Sequence, residues 1–162
     1  MRAGVIGIGN PLRRDDGIGI VLLEKLIEKK NDLPSDIEYV DGGTGGMNLL
    51  HMLALFDVVL IIDAVNFNGR PGEPKLFRPE DVQSKKASIN IPTHETDILK
   101  IIHLSKELGE IPDELFIFGI QPKDTSQGDG LSSDLHEAVS SLTLNLQKEI
   151  KRIFNSKRRQ SV

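Results

Sequence analysis

The sequence of 162 residues contains no cysteine. That absence excludes disulfides, zinc fingers, cysteine-ligated iron–sulfur clusters and a thiol nucleophile together. Any metal site must draw on His, Asp, Glu or backbone oxygen. Tryptophan is also absent, tyrosine occurs once and phenylalanine six times, so stacking surfaces for bases are scarce. Long apolar runs are missing as well. Met52 to Phe56 and Val58 to Ile62 are the longest, far short of the ~20 residues of a membrane span. The opening Met-Arg-Ala-Gly-Val-Ile-Gly has no apolar core of signal-peptide length, so no secretion and a cytoplasmic location are expected. The formal charge is −4, yet Lys148 to Val162 holds six basic groups and one acid. The rest of the chain is therefore strongly acidic, which argues against nucleic acid as a partner.

What is present reads as one folded domain. Hydrophobic residues make up 38% of the chain, ordinary for a globular protein. We expect a domain over residues 1–155 and a basic, disordered, solvated tail over 156–162. Apolar runs alternate with helical patterns. Ala3 to Ile8, Ile37 to Asp41, Val58 to Ile62 and Leu115 to Ile120 read as strands, and Lys75 to Phe77 as a short one. Helical periodicity marks Gly17 to Lys30, Gly45 to Leu55, His94 to Leu108 and Ser132 to Phe154. The Val58–Ile62 run, continuously apolar and mostly β-branched, fits a central strand covered on both faces. Glu80 to Thr93 has no clear period, and Gln83 to Ile91 is a candidate flap. This order predicts an α/β fold: a single-domain three-layer sandwich with a mostly parallel, twisted, five-stranded sheet and helices on both faces.

In such sheets ligands bind beyond the carboxyl ends of the strands, where the connections reverse. The residues following each strand are therefore the informative ones. Gly7-Ile8-Gly9-Asn10-Pro11-Leu12-Arg13-Arg14-Asp15-Asp16-Gly17 follows the first, Asp41-Gly42-Gly43-Thr44-Gly45-Gly46 the second and Asp63-Ala64 the third. A dinucleotide loop fails in detail, because Leu12 stands where the third glycine belongs and two acids would repel phosphate. No Gly-Lys-Ser/Thr follows the glycines, and no Gly-x-Ser-x-Gly elbow occurs. His94-Glu95-Thr96-Asp97-Ile98 begins like a zincin helix but lacks the second histidine. A metal reading remains. Asp16, Asp63 and His94 offer two hard oxygens and one imidazole, a set suited to a divalent first-row ion in an open site. Taken singly, each has a plainer role: helix-start charge for Asp16, a turn cap for Asp63, a surface position for His94.

Together these residues resemble the hydrogenase maturation endopeptidases. The resemblance rests on Gly7-Ile8-Gly9-Asn10-x-Leu12-x-x-Asp15-Asp16-Gly17-x-Gly19, Asp41-Gly42-Gly43-Thr44, Asp63-Ala64, the isolated His94 and Gly119-Ile120-Gln121-Pro122. It covers about Arg2 to Phe154. It implies an endopeptidase that removes a C-terminal peptide from the nickel-loaded precursor of a NiFe-hydrogenase large subunit. By the resemblance, Asp16, Asp63 and His94 are the catalytic and nickel-contacting residues. The nickel belongs to the precursor, so the isolated protein need not carry it. Asn10, Asp41, Gly42 and Gly43 are expected to shape the substrate cleft, although a turn needing positive φ would equally explain the glycines. Neither nucleic acid nor membrane is expected as a partner. A non-catalytic, nickel-dependent assembly chaperone for the same precursor is the alternative, because no nucleophile is visible.

Overall fold

The computed structural model describes residues 1–84 and 93–160, with only the backbone described for 82–84 and 93–97. Five strands form one sheet: β1 (Ala3–Gly7), β2 (Ile37–Asp41), β3 (Val58–Ala64), β4 (Pro74–Phe77) and β5 (Glu114–Ile120). Their order is β2-β1-β3-β5-β4. β1, β2, β3 and β5 run parallel, and β4 lies antiparallel along β5. The helices are α1 (Ile18–Glu28), α2 (Met47–Leu53), α3 (Pro79–Ser84), α4 (Thr93–Glu107) and α5 (Ser133–Gln160).

Alternation along β3 sorts the layers. Leu60 and Ile62 pack with Leu22 and Leu26 of α1 and with Leu142, Leu146 and Ile150 of α5. Val59 and Ile61 pack with Leu49 and Leu53 of α2 and with Ile98 and Ile102 of α4. Each strand residue points opposite to its neighbour, so every position from Val58 to Ala64 is buried. The expected three-layer α/β sandwich is the fold observed.

Several boundaries differ from the sequence reading. The first helix begins only at Ile18, because Arg14–Gly17 forms a separate 3-10 turn. Pro79–Ser84, within a stretch expected to be irregular, is a short helix. The candidate flap lies mostly outside the described residues. The last helix continues to Gln160 rather than ending at Phe154. Lys157 of that extension reaches Glu114 at 2.7 Å, and Arg158 pairs with Asp36. These contacts correct the expectation of a disordered, solvated tail for residues 156–160: opposite charges at the sheet's lower edge hold them as helix.

The chain leaves β1 for β2 on one side and later returns to place β3 on the other. β1 and β3 are therefore the pair at which the connections reverse, the point beyond whose carboxyl ends sheets of this kind form a ligand crevice.

Candidate functional site

The structure places Asp16, Asp41 and Asp63 at the carboxyl end of this crevice. Gly7 of β1 is in register with Asp41 of β2 and with Ile62 of β3. Past the end of β1 the pairing continues, since Ile8 N–H donates to the Ile62 carbonyl at 2.9 Å. Asp63 is the next residue. It is only 4% exposed, and its parity matches Val59 and Ile61, so its side chain belongs to the face covered by α2 and α4. Its Oδ1 accepts the Ala64 N–H at 2.9 Å.

Asp16 arrives from the 3-10 turn. A Cβ built on Gly9 would lie 2.1 Å from the Asp16 carbonyl oxygen. No side chain fits there, and Gly9 is what lets the turn close onto the strand end. The half-buried Asp16 carboxylate accepts the Asn10 N–H at 3.0 Å through Oδ2. Asn10 in turn accepts the Leu12 N–H through Oδ1 at 3.0 Å. Asn10 thus shapes the turn that carries Asp16.

The second loop closes beside the first. Gly42 N–H donates to the Gly7 carbonyl, and Gly9 N–H donates to the Gly43 carbonyl, both at 2.8 Å. Asp41 is exposed and accepts the Gly43 N–H through Oδ1 at 2.8 Å. Gly43 has φ of 58°, a region open to glycine at little cost. The turn reading therefore holds for Gly43, whereas at Gly42 it is close packing that excludes a side chain, since a Cβ there would stand 2.8 Å from Ile6 Cγ2. The turn is also compatible with a cleft wall, because it borders the Asp16 loop.

His94 is the second residue of α4, and its side chain lies outside the described residues. Ile98, one turn later, points toward the Asp41–Gly46 loop: a Cβ on Gly45 would stand 3.9 Å from Ile98 Cγ1. Helix α4 therefore starts beside the crevice, on the face to which Asp63 belongs. Among the described residues, no three of His, Cys, Asp or Glu are grouped to hold a metal ion. Asp16 and Asp63 give two oxygen donors, and a third donor of imidazole type from α4 would suit a divalent first-row ion.

Two polar residues at this end stand in the quoted motifs but were assigned no role by the sequence reading. Asp15 is fully buried and organises the loop after β5. Gln121, 7% exposed, accepts the Phe67 and Gly69 N–H groups through Oε1 at 2.9 and 3.0 Å. Its Nε2 donates to Asn66 Oδ1 at 3.2 Å. The available signal was the type of residue: an amide or carboxylate just beyond an apolar strand needs partners when buried.

Comparison with known proteins agrees with this geometry. A family model described as "Hydrogenase maturation protease" matches residues 21–149. The Hydrogenase 2 maturation protease of Escherichia coli K12 is 34% identical over 140 residues, 86% of this chain and 84% of that protein. The hydrogenase expression/formation protein HupD of Bradyrhizobium diazoefficiens is 31% identical over 126 residues, 78% of this chain. The match spans 65% of the length of that HupD and 57% of the Rhodobacter capsulatus one. Among solved structures, the hydrogenase maturating endopeptidase HybD from E. coli superposes with a TM-score of 0.79 at 27% identity, over 94% of this chain and 93% of that one. A HycI maturation protease from Thermococcus kodakarensis superposes at 0.71 with 26% identity, over 93% and 92%. The sheet and these matches agree, and the chain belongs to the hydrogenase maturation protease family.

Proposed function

We propose that this chain is an endopeptidase that removes a C-terminal peptide from the precursor of a NiFe-hydrogenase large subunit. It does so once nickel has been inserted, recognising the precursor's nickel through Asp16, Asp63 and His94. The observation that carries this reading is the delivery of Asp16 and Asp63 to adjoining strand ends at the reversal point of the sheet. Two carboxylates and an imidazole leave coordination positions for ligands that a loaded precursor brings with its metal. An empty precursor lacks that contact and would bind less well. A bound divalent ion in such a site polarises a carbonyl or acidifies a water.

The chain's own residues do the holding. The Asn10 N–H fixes Asp16 Oδ2, leaving the other oxygen to turn outward. Burial of Asp63 keeps its carboxylate in one place and strengthens its interaction with a cation by lowering the local dielectric. At the rim, Leu12 and Met47 are 64% and 56% exposed and offer apolar contacts to a polypeptide.

The test is the intact mass of a large-subunit precursor from the same organism, incubated with the protein before and after nickel loading. Loss of a C-terminal peptide only in the loaded sample is expected. Asp16→Asn and Asp63→Asn should each abolish that loss while the protein stays folded. Stable complex formation with no mass change would overturn the peptidase reading in favour of an assembly chaperone.

A further inference from the structure

Two acids stand side by side at the head of the site, Asp16 half-buried and Asp15 fully enclosed. Asp15 is 0% exposed. Its Oδ2 accepts the N–H groups of Lys123 and Asp124, each at 2.9 Å, and the Ser132 hydroxyl at 2.8 Å. Its Oδ1 accepts the Ser132 N–H at 2.7 Å. Both ends of the loop between β5 and α5 thus meet on a single carboxylate. The backbone joins the same two segments: Asp15 N–H donates to the Asp124 carbonyl at 3.0 Å, and Arg14 N–H to the Gly128 carbonyl at 3.1 Å. Arg14 sits at φ 44°, a conformation unfavourable for a non-glycine residue that persists only where its surroundings impose it.

We propose that Asp15 is a positioning residue for the reaction: it clamps the turn 10–17 onto the loop 121–132 and thereby holds Asp16 at the working end of the crevice. The proposal rests on the peptidase reading above. The chemistry of the clamp is specific to a carboxylate. Four donors converge on it, and an ionised carboxylate is acceptor-only with two oxygens. An amide of the same shape has one acceptor oxygen and turns an NH2 group toward facing donors. Charge-assisted hydrogen bonds from backbone N–H groups are about twice as strong as neutral ones. The turn that carries Asp16 is therefore fixed by an interaction remote from the substrate, and small displacements of a reacting group are costly.

Asp15→Asn is the variant to make, assayed on the nickel-loaded precursor at a temperature where it remains folded. Turnover (kcat) should fall about tenfold or more with KM within about threefold of wild type, the pattern of misplaced machinery rather than lost binding. Amide hydrogen exchange should quicken at Lys123, Asp124 and Ser132 and also at Asn10 and residues 13–16. A folded variant with unchanged kcat overturns the proposal, as does faster exchange confined to 121–132. Should Asp15→Asn fail to fold, Ser132→Ala removes one donor and leaves the carboxylate. It should show the same exchange pattern and about a twofold or larger loss of kcat, and wild-type turnover would overturn the proposal. If wild type leaves the loaded precursor intact, the peptidase reading falls, and exchange at Asn10 and 13–16 still decides the clamp.

Discussion

Asp15 and Asp16 are adjacent and chemically identical, yet one is saturated with donors and the other is half-buried at a crevice. The sequence marks both as acids at the end of a glycine loop. It cannot say which turns inward, because that depends on a 3-10 turn and on a loop more than 100 residues later. Asp63 was easier to find, since it ends the most apolar strand in the chain. Asp41, expected to line a cleft, is seen capping its own glycine turn. Gln121 supports a prediction at this scale. Gln121→Ala strands the Phe67 and Gly69 N–H groups and should cost about 1–3 kcal/mol, measured by urea unfolding. An unchanged midpoint would show that water replaces the amide freely.

Among elements, β1, β3 and β5 were legible because both their faces are buried and their apolar runs are nearly unbroken, whereas β2 is an edge strand with Glu38 and Asp41 exposed. β4 was read as a strand, but its antiparallel direction was not, since direction depends on the tight connection after β3. The start of α1 differs by one residue, Ile18 rather than Gly17, because Gly17 closes the preceding 3-10 turn. The end of α5 slipped because its final charges look solvent-bound until Glu114 and Asp36 are seen beside them. Its stripe of Leu135, Leu142, Leu146, Ile150 and Ile153 is buried throughout. Leu146→Ala should therefore cost about 2–5 kcal/mol, read by thermal or denaturant unfolding. At the far end, the Lys157 ammonium and then the Arg78 guanidinium hold the Glu114 carboxyl below its ordinary range, against partial burial that pushes it up. A lowered carboxylate value contributes stability above the unfolded value of about 4.3, and that contribution fades as the pH drops through the folded value. The stability gap between wild type and Glu114→Gln should consequently be present at pH 7, shrink as the pH drops below the unfolded value and close once it is below the lower folded value. A gap that persisted into acid would point to packing rather than charge.

For the whole molecule, the sheet divides two hydrophobic clusters that supply the apolar core. With that core the chain is expected to fold without metal, in contrast to domains that unfold when it is removed. Chelation should leave the thermal midpoint unchanged, and a marked fall would assign the ion a structural role. No helix among the described residues is long and apolar enough to cross a membrane. The general α/β plan could be read from the alternation of elements, whereas the reversal between β1 and β3 required the strand order.

Helix α5 starts beside the Asp15 clamp and ends where Lys157 meets the beginning of β5. Its 28 residues span about 42 Å at 1.5 Å per residue. A fluorophore or surface tether attached near Gln160 therefore stands the full height of the molecule away from the crevice. An immobilised sample built that way presents that end to the liquid, and a bulky protein partner can approach it without touching the support.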